Sequence, residues 1–208
     1  MTDALETERK LKVLLAVRLK GRGDEATVAA TVDEDPVTVA STIADLAQAG
    51  LVVAGKTLRI SPEGRAQLTK LLAQERSGVD TAAVAAAHAR FRVVNADFKA
   101  LVSDWQSKDG QPNTHDDADY DAVMLARLHG VHQRVMPIIT AAAAQLPRLT
   151  AYAGKLAAAL ANISTGETIW FTRPIIDSYH TVWFELHEEL IQAAGLSREE
   201  EAKRGDAG

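Results

Sequence analysis

Residues 173–188, RPIIDSYHTVWFELHE, form the densest run of aromatic and titratable side chains in the chain. Tyr179, His180, Trp183 and His187, with Arg173 ahead of them, are the kind of side chains that line a pocket for an aromatic or anionic small-molecule effector, since such pockets combine apolar walls with a few polar groups. The aromatic residues also recur at helical spacing, which is what a bundle core or a dimer interface requires, and that is the simpler reading. Asp177 and His180 stand three apart, as do His129 and His132 upstream. Imidazoles and a carboxylate at that spacing on facing helices are the donors that a metal in a helical bundle uses. Such pairs arise easily by chance, so no metal ligand is assigned and no cofactor is implied. The run HDDADYD puts Asp116, Asp117, Asp119 and Asp121 within six residues, but it lacks the glycine and the later glutamate of a calcium loop. Acids at a helix start complement its dipole, and that is their expected role.

A second set is polar rather than titratable. In DPVTVASTIADLAQAG, residues 35–50, helical spacing turns Val39, Ile43 and Leu46 inward and Thr38, Ser41, Thr42, Asp45 and Gln48 outward. Hydroxyl and amide groups on such a face can hydrogen-bond base edges or phosphates, whereas Asp45 would repel a phosphate backbone. The stretch has no Lys or Arg. Cations come instead from Lys56 and Arg59 just beyond it, from Arg65, and from Arg18, Lys20 and Arg22 upstream. No nucleophile elbow, phosphate-binding loop, dinucleotide fingerprint or zinc-protease motif is present, so no catalytic set is assigned and no enzyme activity is expected.

The elements that must hold these groups follow from pattern and punctuation. Leu11, Leu14, Leu15 and Leu19 share one face of a first helix, stopped by Gly21 and Gly23. Asp24 caps a short second helix, and Asp35 caps a third with Pro36 at its first position, where the missing N–H costs nothing. Gly50 closes that helix. LVVA-GK-TLRI reads as two short strands around a turn, and Ser61-Pro62-Glu63 starts a further helix to about Arg76. This order is that of a winged helix-turn-helix, three helices plus a two-stranded wing, over residues 1–76.

Residues 77–195 read as an antiparallel helical bundle. Val84, His88, Phe91, Asn95, Phe98, Val102 and Trp105 keep a heptad seam. A loop, DGQPNTHDDADYD, separates it from a helix carrying Met124, Leu128, Val131, Val135, Ile138 and Ala142, which Pro137 is expected to kink or end. Pro147 opens a third helix, and Thr172 is expected to cap the last, running to Gly195. Residues 196–208 read as a polar flexible tail. The fold class expected is therefore mainly α, and burial of the heptad seam or the aromatic helix between two copies predicts a homodimer.

Composition bounds the function classes. The 208 residues include no cysteine, which removes disulfides, thiolate metal sites and thiol nucleophiles. The first residues are studded with charge and read as neither signal peptide nor anchor, and no stretch is apolar enough to span a bilayer, so a cytoplasmic protein without a membrane partner is expected. Residues 1–76 hold 11 Lys and Arg against 11 Asp and Glu, while residues 77–208 hold 12 against 17. A module that lives on phosphate contacts normally shows a basic excess, and the first segment does not.

The stretches ADLAQAGLV and LRISPEGRAQL resemble the end of the recognition helix and the wing exit of MarR-like bacterial regulators, over roughly the first 76 residues. The resemblance implies a DNA-binding winged helix in a transcriptional regulator, with Thr38, Ser41, Thr42, Gln48, Lys56 and Arg59 facing DNA. The usual Arg or Lys of that recognition helix is absent. The order of parts is also similar to GntR regulators with a helical His-ligated domain, but the motifs do not map, and no ligand is carried over. VNADFKALVSDWQ and DSYHTVWFELHEEL look like segments of actinobacterial proteins related to pyruvate-phosphate dikinases. That similarity implies the alternative: a module that does not bind DNA, accessory to a phosphotransfer enzyme that uses phosphoenolpyruvate or pyruvate.

Overall fold

The computed structural model describes residues 2–196. It is mainly helical and divides into two compact units, residues 1–78 and 79–208. Apart from Leu196, the segment expected to be a polar tail lies outside the described residues.

The first unit comprises α1 (Thr2–Lys20), α2 (Glu25–Val32), α3 (Pro36–Gln48), β1 (Val52–Val53), β2 (Arg59–Ile60) and α4 (Pro62–Arg76). Its helices start where side-chain acceptors meet unpaired N–H groups. The Asp24 carboxylate accepts from Thr27 N–H, Asp35 from Thr38 N–H, and the Ser61 hydroxyl oxygen from Gly64 N–H. Gly21 and Gly50 take positive φ of 66° and 72°, the left-handed geometry that ends α1 and turns the chain after α3. Leu14, Val28, Val39, Ile43, Leu46, Val52, Leu58 and Leu68 close one apolar core. β1 and β2 pair antiparallel, with Val52 opposite Ile60 and Val53 opposite Arg59.

The second unit is a helical bundle: α5 (Thr81–Gln106), a short hairpin of β3 (Ser107–Lys108) and β4 (Gln111–Pro112), α6 (Ala118–Ala143), a 3-10 turn (Pro147–Thr150), α7 (Ala151–Ser164), α8 (Ile169–Thr172) and α9 (Tyr179–Ala193). Every residue of the expected heptad seam on α5 is buried. The seam faces this unit's own core, not a second copy: the rings of Phe91 and Phe98 lie 5.0 and 4.3 Å from that of Trp183.

Three boundaries differ from expectation. Of the two outcomes expected at Pro137, a kink or an end, the helix does not end there, and α6 continues through it to Ala143. The six residues that follow carry enough buried apolar surface, Ile138, Ile139 and Ala142, to offset one missing backbone hydrogen bond. Thr172 does not cap the last helix but ends α8. Arg173 before Pro174 is extended and Ile175 has φ of 79°, so helix cannot form until Ser178, whose hydroxyl oxygen accepts from Thr181 N–H and starts α9. The loop expected after α5 instead contains a hairpin, turned at Asp109-Gly110, both at positive φ. No described helix is long and apolar enough to cross a membrane.

Candidate functional site

In the first unit, two segments far apart in sequence bring cations to one place. The hairpin β1–β2 is short, and its turn is anchored by Leu58, which is buried and whose N–H donates to the Gly23 carbonyl at 2.8 Å. That bond lays the hairpin beside the turn between α1 and α2. Arg22, Lys56 and Arg59 thereby line a single shallow cleft of about 270 Å³, floored by residues 53–57. Lys56 and Arg59 are exposed, and Arg22 joins them through the fold.

Electrostatically the three differ from the paired cations of α1. On α1, Arg9 and Lys12 bind Glu34 at 3.2 and 3.0 Å, Lys12 also meets Glu8, and Lys10 meets Glu6. Among the described residues no acid pairs with Arg22, Lys56 or Arg59. Their charge is available to an anion from outside.

The α3 face is less well equipped than its sequence suggests. Ser41, Asp45 and Gln48 are exposed. Thr42 is a correction: it is buried, at 7% exposure, and its hydroxyl donates back to the Thr38 carbonyl at 2.9 Å. Helical spacing places it beside Ile43 and Leu46, on the edge of the inward stripe. Thr38 is half-buried, and its hydroxyl donates to Asp35 at 2.8 Å. The Thr38 N–H and hydroxyl hold the Asp35 carboxyl below its ordinary pKa, so the cap is anionic at neutral pH. Sequence reading passed over Val37, which is 77% exposed on the first turn of α3. Exposed apolar side chains are poorly signalled at helix starts, because Pro36 and the cap occupy the pattern there.

Most of the aromatic set of the second unit is packed in the core. Tyr179, Trp183 and His187 are buried, and their rings pack against Phe91 and Phe98. The Trp183 indole N–H donates to Asn95 Oδ1 at 2.9 Å, and Tyr179 OH lies 3.2 Å from His132 Nδ1. His180 and Arg173 are exposed, His180 with its ring against Phe98. The residues expected to bind an effector are therefore core and rim, because the broad apolar stripe of α9 has to be buried before any of it can line a cavity.

The other titratable clusters are also structural. Asp117 accepts from Tyr120 N–H as the α6 cap and pairs with Lys108 at 2.5 Å; the Lys108 ammonium is the main cause of its lowered pKa. Asp121 meets His115 at 3.0 Å. Asp177 lies 3.9 Å from Lys155, and His129 lies 3.5 Å from Ser164. Among the described residues no three potential metal ligands converge. A buried ion pair that sequence reading missed joins Arg148 to Glu189, with Tyr152 OH donating to the same carboxylate. Nothing in sequence separates Glu189 from its neighbouring acids.

No family model matches the chain, and neither a curated protein nor a solved structure does.

Proposed function

We propose that residues 1–78 are a winged helix-turn-helix that binds duplex DNA, and that the chain is a bacterial transcriptional regulator of MarR-like design in its first unit. The carrying observation is the convergence of Arg22, Lys56 and Arg59 on one cleft with no acidic partner among the described residues. Cations left unneutralised on a concave face attract a polyanion, and phosphate contacts dominate the affinity of DNA-binding proteins. The order α1-α2-α3-β1-β2-α4 supports the same reading, with α3 as the helix entering the major groove and β1–β2 as the wing.

In this reading the wing and the α1–α2 turn grip the backbone, while α3 supplies a sparse readout. Ser41 and Gln48 offer hydrogen bonds to base edges, and Val37 offers an apolar contact of the kind made to a thymine methyl. Asp45 opposes close approach of a phosphate. Binding led from the wing side has a measurable signature in salt. Three phosphate contacts give a slope of log affinity against log salt of about −3, and each Arg22→Ala, Lys56→Ala or Arg59→Ala reduces its magnitude by about one.

The test is fluorescence anisotropy with duplexes tiled across the gene's own upstream region, at low and moderate salt. Salt-sensitive binding that weakens in all three alanine variants, and strengthens in Asp45→Lys, is the expected result.

One observation favours a second reading. The α3 face presents Asp45 and exposed Val37 and no cation, which suits a protein surface better than phosphate. On that reading the first unit docks a protein, with a phosphoenolpyruvate- or pyruvate-utilising phosphotransfer enzyme as the partner class. Failure to bind any duplex at low salt would select it.

A further inference from the structure

With the heptad seam and the aromatic helix both consumed inside the second unit, a face of α5 remains uncovered. Val93 is 64% exposed on it, beside a groove of about 480 Å³ whose apolar walls are Val93, Val94, Pro137 and Ile138. Around Val93 the exposed positions of α5 include Ala86, Ala89, Ala96 and Ala100. Small side chains allow a second helix to approach at the short end of the usual 8–10 Å spacing.

The charges on this face are placed with a pattern. Arg90 lies one turn before Val93 and Asp97 one turn after, both exposed. Arg134 of α6 borders the groove and pairs with Asp97 at 2.6 Å, whereas among the described residues Arg90 has no acidic partner.

We propose that this face is the interface of a homodimer, with α5 packed antiparallel on α5 of a second copy about a two-fold axis near Val93. Reversing the helix direction sets Arg90 of each copy against Asp97 of the other, giving two identical ion pairs at the ends of an apolar centre. A parallel arrangement would set Arg90 against Arg90 and Asp97 against Asp97. Charge complementarity thus selects both the occupant and its orientation. The carboxylate of Asp97 has lone pairs for both Arg134 of its own chain and the incoming guanidinium. The proposal stands independently of DNA binding.

Sedimentation equilibrium on the full chain at high micromolar concentration tests it. The expected result is twice the 22.3 kDa chain mass, falling to the single-chain mass in Val93→Glu. Because Val93 is exposed, that variant keeps its helical circular dichroism. Single-cysteine variants add geometry, since the natural chain has no cysteine to confuse the product. Val93→Cys should cross-link to itself on mild oxidation. Gln106→Cys, at the far end of α5, should not, because its two copies would lie about 39 Å apart along an antiparallel pair at 1.5 Å per residue. A wild-type monomer would overturn the proposal and leave the groove to another protein. A dimer undisturbed by Val93→Glu would overturn it, as would equal cross-linking at position 106.

Discussion

At Gly64 the start of α4 runs so close to the preceding chain that a Cβ would lie well inside contact distance of the Leu51 carbonyl and 2.9 Å from the Ile60 side chain. The close approach is needed by Ser61, whose hydroxyl donates to the Gly50 carbonyl at 2.7 Å while accepting from Gly64 N–H. One residue thus sets how tightly the hairpin and α4 seal the core of the first unit. Gly64→Ala should destabilise that unit by about 3 kcal/mol, the upper range for overpacking. All three tryptophans, at 105, 170 and 183, lie in the second unit. The loss should therefore appear in far-ultraviolet melting and not in tryptophan fluorescence. The glycine was visible in sequence as part of SPEGR, but the reason for it was not, since Leu51 approaches it only in the fold. The same holds for Thr42, whose hydroxyl looked available until its depth was known, and for Asn95, a polar member of the seam whose partner, the Trp183 indole, no sequence pattern names.

Helices were legible where a capping side chain and an apolar period agree, as for α2, α3 and α4. They were misjudged where backbone geometry overrides the pattern. The apolar residues of 173–178 look continuous with α9, yet Ile175 has positive φ and is fully exposed. The Ser178 cap, buried at 0% exposure, is what starts the helix. Ser178→Ala should cost about 1 kcal/mol, typical of a lost cap, and should fray the turn that carries Tyr179. A lower urea midpoint by tryptophan fluorescence, with faster amide exchange over residues 179–182, would show it. The hairpin between α5 and α6 was missed although Asp109-Gly110 is a known turn signal, because strands of two residues have no period to detect. The β1–β2 hairpin was found because β-branched residues flank its turn on both sides.

Across the whole molecule, polar groups inside the bundle link stability to pH. Burial of the ring, with His129 one turn away on α6, holds the His132 pKa below the usual histidine value, and the neutral ring suits the contact with Tyr179 OH. The folded form thus resists a proton that the unfolded chain accepts. This contribution to stability is complete above the unfolded pKa of about 6.5 and is lost as pH falls from there through the lowered folded value. Urea midpoints followed by tryptophan fluorescence should therefore drop between pH 7.5 and 5, and His132→Gln should flatten that drop. An unchanged pH slope in the variant would remove His132 from the account.

By itself the sequence determined which segments are helical, where most of them start, the near-neutral charge of the first unit and the absence of cysteine chemistry. These follow from neighbours within a few residues, where propensity, capping and periodicity act. Only the tertiary structure decided which faces are spent. It put the heptad seam and aromatic helix in the core, brought Arg22 across to Lys56 and Arg59 through one backbone bond to Gly23, and left Val93 on the surface. Burial and convergence depend on residues tens of positions apart, and no local pattern carries that information.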